Sequence, residues 1–118
     1  MIYKHLEKEG FTMKETKKVF ISHPMTNLSE KKVMEIREEA MAYLDEKYKD
    51  KYEFTYIDNY HHDDAPANAG SIWHLGRSIQ QLDEADFIYF VPNYSLSEGC
   101  MIERLIVNGT RYRKEILE

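Results

Sequence analysis

The sequence predicts an α/β domain: a three-layer arrangement in which a mainly parallel sheet of four to five strands lies between helices. Three observations predict it. Short apolar runs of strand length alternate along the chain with segments whose apolar residues recur at helical spacing. The runs at residues 18–22 and 87–91 are close to continuously apolar, as strands covered on both faces are. Finally, 118 residues without repeats, low-complexity tracts or a linker amount to one domain. Residues 17–118 form its body and residues 1–16 an N-terminal extension.

Each element has a local cause. Lys18-Val19-Phe20-Ile21-Ser22 is the first strand, and His23-Pro24 ends it because proline cannot continue a hydrogen-bonded ladder. Ser29 follows as a helix N-cap. From residue 30 to about residue 48, Val33, Ile36, Ala40, Tyr43 and Leu44 recur at helical spacing, with Glu and Lys on the other side. Residues 53–58 are aromatic and β-branched, and read as the second strand. Residues 59–70 form a polar loop broken by Pro66, Asn68 and Gly70, of a length that often serves a substrate. Ile72, Leu75, Ile79 and Leu82 mark a second helix, capped at Ser71. The third strand, residues 87–91, leads to a helix that starts near Ser97 and carries Met101, Ile102, Leu105 and Ile106. Asn108-Gly109 stops that helix by a left-handed residue, and residues 114–118 form a last short strand. The order is that of flavodoxin-like and Rossmann-like sheets.

Composition narrows the function. Apolar residues make up 42% of the chain and charged residues 31%, which is ordinary for a soluble domain. A net charge of −5 argues against polymeric nucleic acid as the main partner, since that needs a dense basic face. A single nucleoside or nucleotide stays open, because backbone N–H groups can hold one without many Lys or Arg. Cys100 is the sole cysteine, so neither an intrachain disulfide nor a cysteine zinc site is expected, and a cytoplasmic setting fits. No run is long and apolar enough to span a bilayer, so no membrane partner is expected.

In open parallel sheets ligands bind beyond the carboxyl ends of the strands. That rule selects two segments. After the first strand, Ser22, His23, Pro24, Met25 and Thr26 offer hydroxyls on a stiffened turn, although the turn has no Gly-rich phosphate loop. After the third strand, Asn93, Tyr94, Ser95 and Ser97 supply donors, and Gly99 permits close backbone approach. Glu103 falls in the opening turns of the following helix. The bland reading of this second segment is a helix start with Ser95 and Glu98 as a capping box. His61-His62-Asp63-Asp64 reads as a solvated loop, since adjacent ligands seldom converge on one ion and no His-x-x-x-His pattern is present. No metal or cofactor is expected. Cys100 reads as a packing residue.

Three segments, in order, resemble one family. Phe20-Ile21-Ser22-His23-Pro24-Met25-Thr26 resembles the Y-I-S-G-P-M-T-G opening of nucleoside 2-deoxyribosyltransferase-like proteins. Ala85-Asp86 with residues 87–91 resembles their third strand and its entry. Ser97-x-Gly99-x-x-x-Glu103 resembles their nucleophile segment, with a glycine four residues before a catalytic glutamate. The resemblance is to short bacterial and phage members in particular. It implies cleavage of a nucleoside or nucleotide N-glycosidic bond, or 2-deoxyribosyl transfer, with Glu103 as nucleophile. It implies a homodimer or higher homo-oligomer in which a neighbour completes each pocket. Two positions depart from the family. Phe20 stands where a tyrosine orients the glutamate, and Ser78 stands where an aspartate assists the leaving base. Asp58, His61 or Tyr94 would then have to substitute. A nucleotide-binding or sensor protein without turnover is the alternative that these departures suggest. A second alternative, an NAD-type glycohydrolase, rests on a slighter likeness of residues 19–23 to the first strand of Toll/interleukin-receptor domains.

Overall fold

A computed structural model describes residues 14–109 and 111–118. Most of the expected N-terminal extension therefore lies outside the described residues. Four strands, β1 (Glu15–Ser22), β2 (Tyr52–Tyr56), β3 (Phe87–Phe90) and β4 (Glu115–Leu117), form one sheet in the order β2-β1-β3-β4. Every neighbouring pair is parallel. Three helices connect them: α1 (Glu30–Lys47), α2 (Ser71–Gln81) and α3 (Glu98–Asn108). Short 3-10 turns follow α2 at Leu82–Glu84 and precede α3 at Tyr94–Leu96. β1 starts earlier than its apolar run, because Glu15 to Val19 pair with Tyr52 to Tyr56 of β2.

Period-two alternation divides the core between the two faces of the sheet. Val19, Ile21, Phe87, Tyr89 and Val91 pack on one side with Ala40 and Leu44 of α1. Phe20, Ile88 and Phe90 pack on the other with Val107 of α3 and with Leu82 and Ala85 beyond α2. Phe20, Ile21, Leu44 and Ile88 are fully buried. Burial of a large apolar side chain contributes about 1.5–3 kcal/mol. Asp86 ties the amino-terminal end of this sandwich: its carboxylate accepts the Lys18 N–H at 2.8 Å, and its own N–H donates to the Lys18 carbonyl at 2.8 Å. The Ala85-Asp86 pair thus has a structural duty far from the carboxyl edge.

Several local expectations change. Gly70, in an extended conformation, precedes α2, and Ser71 is its first helical residue rather than its cap. Ser97, not Ser95, caps α3, accepting the Cys100 N–H. Gly109 ends α3 with φ −67° rather than in the left-handed region, because the chain leaves extended and Lys114 N–H bonds back to Val107 O on the way to β4. Ile72, expected on the buried stripe of α2, is 87% exposed. Met101, Ile102 and Leu105 likewise face outward on α3, whose inward residues are Cys100, Glu103 and Val107.

Candidate active site

The sheet order makes the carboxyl ends of β1 and β3 a switch point, since the chain runs to one side of β1 for β2 and to the other for β3. A cavity of about 750 Å³ opens there. That lies within the ~300–1,000 Å³ of ordinary small-molecule sites. His23, Met25 and Thr26 from the first loop, Ser97 and Gly99 from the start of α3, and Glu103 line it together. Leu75, Ser78 and His74 of α2 and the loop residues Tyr60, His61 and His62 close the other side. Pro24 lines an adjoining hollow that shares Thr26, Ser71, Leu75, Ser97 and Gly99 with the cavity.

Glu103 is 5% exposed and lies on the inward face of α3. The Ser22 hydroxyl donates to its Oε1 at 2.6 Å. Burial pushes the carboxyl up to about 7, and the Ser22 bond opposes that rise. Arginine does not neutralise it: the Arg104 guanidinium lies over the Phe90 and Tyr94 rings, 5.0 and 5.5 Å from their centroids. Phe20 and Ser22 share the α3-facing side of β1, but Ser22 is two residues nearer the carboxyl edge. The hydroxyl that holds the glutamate therefore comes from position 22, while Phe20 is left in the core. Cys100 also lines the cavity, and burial pushes its thiol up, which keeps it neutral and poorly nucleophilic.

His23 and Arg37 form a second buried network on the opposite face. Arg37, on the polar side of the predicted α1 stripe, is 3% exposed. Its Nη1 donates to His23 Nε2 at 3.0 Å and to Asn59 Oδ1, and its Nη2 donates to Ile57 O at 2.9 Å. Asn59 Nδ2 in turn donates to Ile21 O at 2.9 Å. Because His23 Nε2 accepts from Arg37, its Nδ1 carries the hydrogen and donates to Pro24 O at 3.1 Å. Burial pushes His23 down to about 4, with the Arg37 charge acting in the same direction and the Pro24 bond against it. His23 is thus a neutral strut that fixes the first loop.

Ser22, expected to touch the substrate, is fully buried and holds Glu103 instead of lining the cavity, and three further expected contacts fall elsewhere. Asp58 does not line the cavity; it caps the turn after β2, accepting the Tyr60 and His61 N–H groups and the His61 ring. Those bonds outweigh its desolvation and lower its pKa. Asn93 takes a left-handed conformation, φ 67°, to turn the chain, and Tyr94 packs against Phe90 with the rings tilted by 50° and does not line the cavity. The loop of residues 59–70, whose length suggested a substrate loop, lines the cavity with Tyr60, His61, His62, Ala69 and Gly70, so its His61-His62 pair is not simply solvated. His61 bridges Asp58 and Glu30, at 2.9 and 3.0 Å, and the hydrogen bond to Glu30 is the leading cause of its raised pKa. His74 and Ser78 are further lining residues; their i, i+4 spacing on α2 places them on one helical face. No protein-family model, curated protein or solved structure gives a significant match to this chain.

Proposed function

We propose that this protein breaks the N-glycosidic bond of a nucleoside or nucleotide, passing the sugar to water or to a second base, in the manner of the nucleoside 2-deoxyribosyltransferase-like proteins that its sequence resembles. The observation that carries the reading is Glu103: a desolvated carboxyl without a salt-bridge partner among the described residues, held by Ser22 in a cavity of nucleoside size. Breaking a C1′–N bond builds positive charge on the sugar, as in glycoside hydrolysis. A carboxylate deprived of solvent gains more from that charge than from the neutral substrate, which is the differential stabilisation catalysis requires. Glu103 Oε2, the oxygen not engaged by Ser22, is the atom that meets C1′. The test is incubation with a panel of ribo- and deoxynucleosides and their monophosphates, with free base measured by chromatography. Base release that disappears in Glu103→Ala supports the reading; a folded protein that releases no base from any of them refutes it.

A second reading, nucleotide binding without turnover, is favoured by Ser78, which puts a neutral hydroxyl where the family places an acid. It is separated from the first by a nucleotide that raises the melting temperature yet stays intact. Self-association accompanies either reading. Ile72, Leu96 and Leu105 are 87%, 85% and 77% exposed, and Ile72 and Leu96 line the hollow beside the cavity. Apolar groups so placed favour cover by a second copy. Light scattering on the wild type and on Ile72→Lys tests this, the variant being expected to be monomeric.

A further inference from the structure

Four histidines line the cavity: His23, His61, His62 and His74. In three of them both ring nitrogens are engaged. His23 is held by Pro24 O and Arg37, and His61 by Asp58 and Glu30. His62 Nε2 meets Gln81 Oε1 at 3.2 Å, and His62 Nδ1 meets His74 Nδ1 at 3.0 Å. His74 differs: its Nδ1 is engaged, and its Nε2 has no partner among the described residues.

The hydrogens on this chain follow from its far end. Gln81 Nε2 donates to the Asp58 carbonyl at 2.9 Å, so the Gln81 oxygen is the atom turned to His62. An amide oxygen only accepts, so His62 carries its hydrogen on Nε2 and presents a lone pair on Nδ1. His74 must then donate from Nδ1, which leaves its Nε2 free to take up or give a proton. Either charge state of His74 keeps the bond to His62, so the ring does not reorient when it gains or loses a proton. The two imidazoles lie nearly coplanar, planes 13° apart and centroids 5.3 Å apart, as a bond between their Nδ1 edges requires, and Trp73 packs edge-on to both. The other cavity groups suit the task less: Ser78 offers a weakly acidic hydroxyl, the Cys100 thiol is buried, and Glu30 is committed to His61.

We propose that His74 is the acid that protonates the departing base, with His62 as its positioning residue; this rests on the N-glycosidic reading above. As the C1′–N bond breaks, its electron pair moves onto the base, and the proton on His74 Nε2 passes to a ring nitrogen of that base. Glu103 Oε2 forms the new bond to C1′. In the second half, water or an acceptor base attacks C1′, gives its proton to His74 Nε2, and frees the Glu103 carboxylate. His74 thus ends protonated, as it began.

The experiment uses two leaving groups. Purified wild type, His74→Gln, His74→Asn, His62→Gln and Glu103→Gln are assayed on 2′-deoxyguanosine 5′-monophosphate and on its N7-methylated form, whose cationic base leaves without a proton. Melting curves show which variants are folded. Both His74 variants are expected to lose about 100-fold or more in kcat/KM on the unmethylated substrate and less than about 3-fold on the methylated one. His62→Gln is expected to shift the pH profile on the unmethylated substrate alone, and Glu103→Gln to abolish both reactions. Equal losses on the two substrates, or no loss on either, overturn the role of His74. So does a wild type that cleaves only the methylated substrate, although that result leaves the role of Glu103 intact. Release from neither substrate overturns this inference, and where the nucleoside panel above also yields no free base the N-glycosidic reading falls with it.

Discussion

Replacing Glu103 by glutamine should stabilise the protein, and only above mildly acidic pH. Burial raises this carboxyl from an ordinary value of 4.5 to about 7. Between those values the folded state holds a proton that the unfolded chain has released, so wild-type stability falls as pH rises through this window. Below pH 4.5 both states are protonated and the group contributes nothing; above pH 7 the full cost is present. A shift of that size corresponds to about 3 kcal/mol at ~1.36 kcal/mol per unit. Glutamine keeps the shape and still accepts the Ser22 hydroxyl, but it has no charge to desolvate. The variant should therefore match the wild type near pH 4.5 and exceed it by about 3 kcal/mol at pH 8, or roughly 10 °C in melting temperature for a domain of this size. Parallel urea titrations of the two proteins from pH 4.5 to 8.5 measure the difference. Contributions from other groups that the substitution leaves alone, His23 among them, cancel in it. A difference that stays constant across this range would refute the argument that Glu103 is desolvated and unpaired.

Other substitutions probe separate parts of the site. Ser22→Ala removes the one bond that holds Glu103 down, so the acidic limb of any activity profile should move to higher pH, with about 1–2 kcal/mol lost in denaturant titration. Arg37→Met should cost about 3 kcal/mol, because it leaves acceptors on His23, Asn59 and Ile57 in the interior without their donor; an unchanged denaturation midpoint would contradict this. Gly99→Ala should fold normally and gain up to ~1 kcal/mol, since a Cβ there would meet only Leu75 Cδ1 at 3.7 Å and Ser97 Oγ at 3.8 Å. If ligand packs against that backbone, the same variant should raise KM, which steady-state kinetics or a binding titration measures.

The fold was legible because its signals are local and repeated. Continuous apolar runs gave β1 and β3, helical periodicity gave α1, and Ser29 caps that helix as expected. The site was legible where the switch-point rule applies, so the two loops and Glu103 could be placed at one edge. What stayed hidden was polar residues turned inward. Arg37 sits on α1 among Glu and Lys and reads as a surface charge, yet it is buried because the residue that follows β1 is a histidine that accepts from it. On α2 and the turn after it, Leu75, Ile79 and Leu82 are partly or fully buried as the apolar count suggests, but the same count misses the buried Ser78 and Gln81 and wrongly adds the exposed Ile72. The His62–His74 contact joins a loop to a helix twelve residues on, and residue spacing in such a loop carries no geometry.

Ser22, the last residue of β1, and His23, the residue just after it, explain how one strand end serves both halves of the site. Successive side chains point to opposite faces of a sheet. Ser22 therefore turns to α3 and takes Glu103, while His23 turns to α1 and takes Arg37. Each buried ionisable group is met by a neutral partner rather than by an opposite charge. For stability alone this is a poor choice, because a buried charge satisfied only by dipoles keeps much of its desolvation cost, and apolar replacements of similar size often do better. The two charges do not neutralise each other because the sheet lies between them. The arginine spends its bonds on fixing the first loop through His23, Asn59 and Ile57, and the glutamate keeps one oxygen free beside an open cavity. A pair built for stability would have brought them together. The separation leaves an acid that can respond to charge on a ligand and a cation that keeps the neighbouring loop in place while it does so.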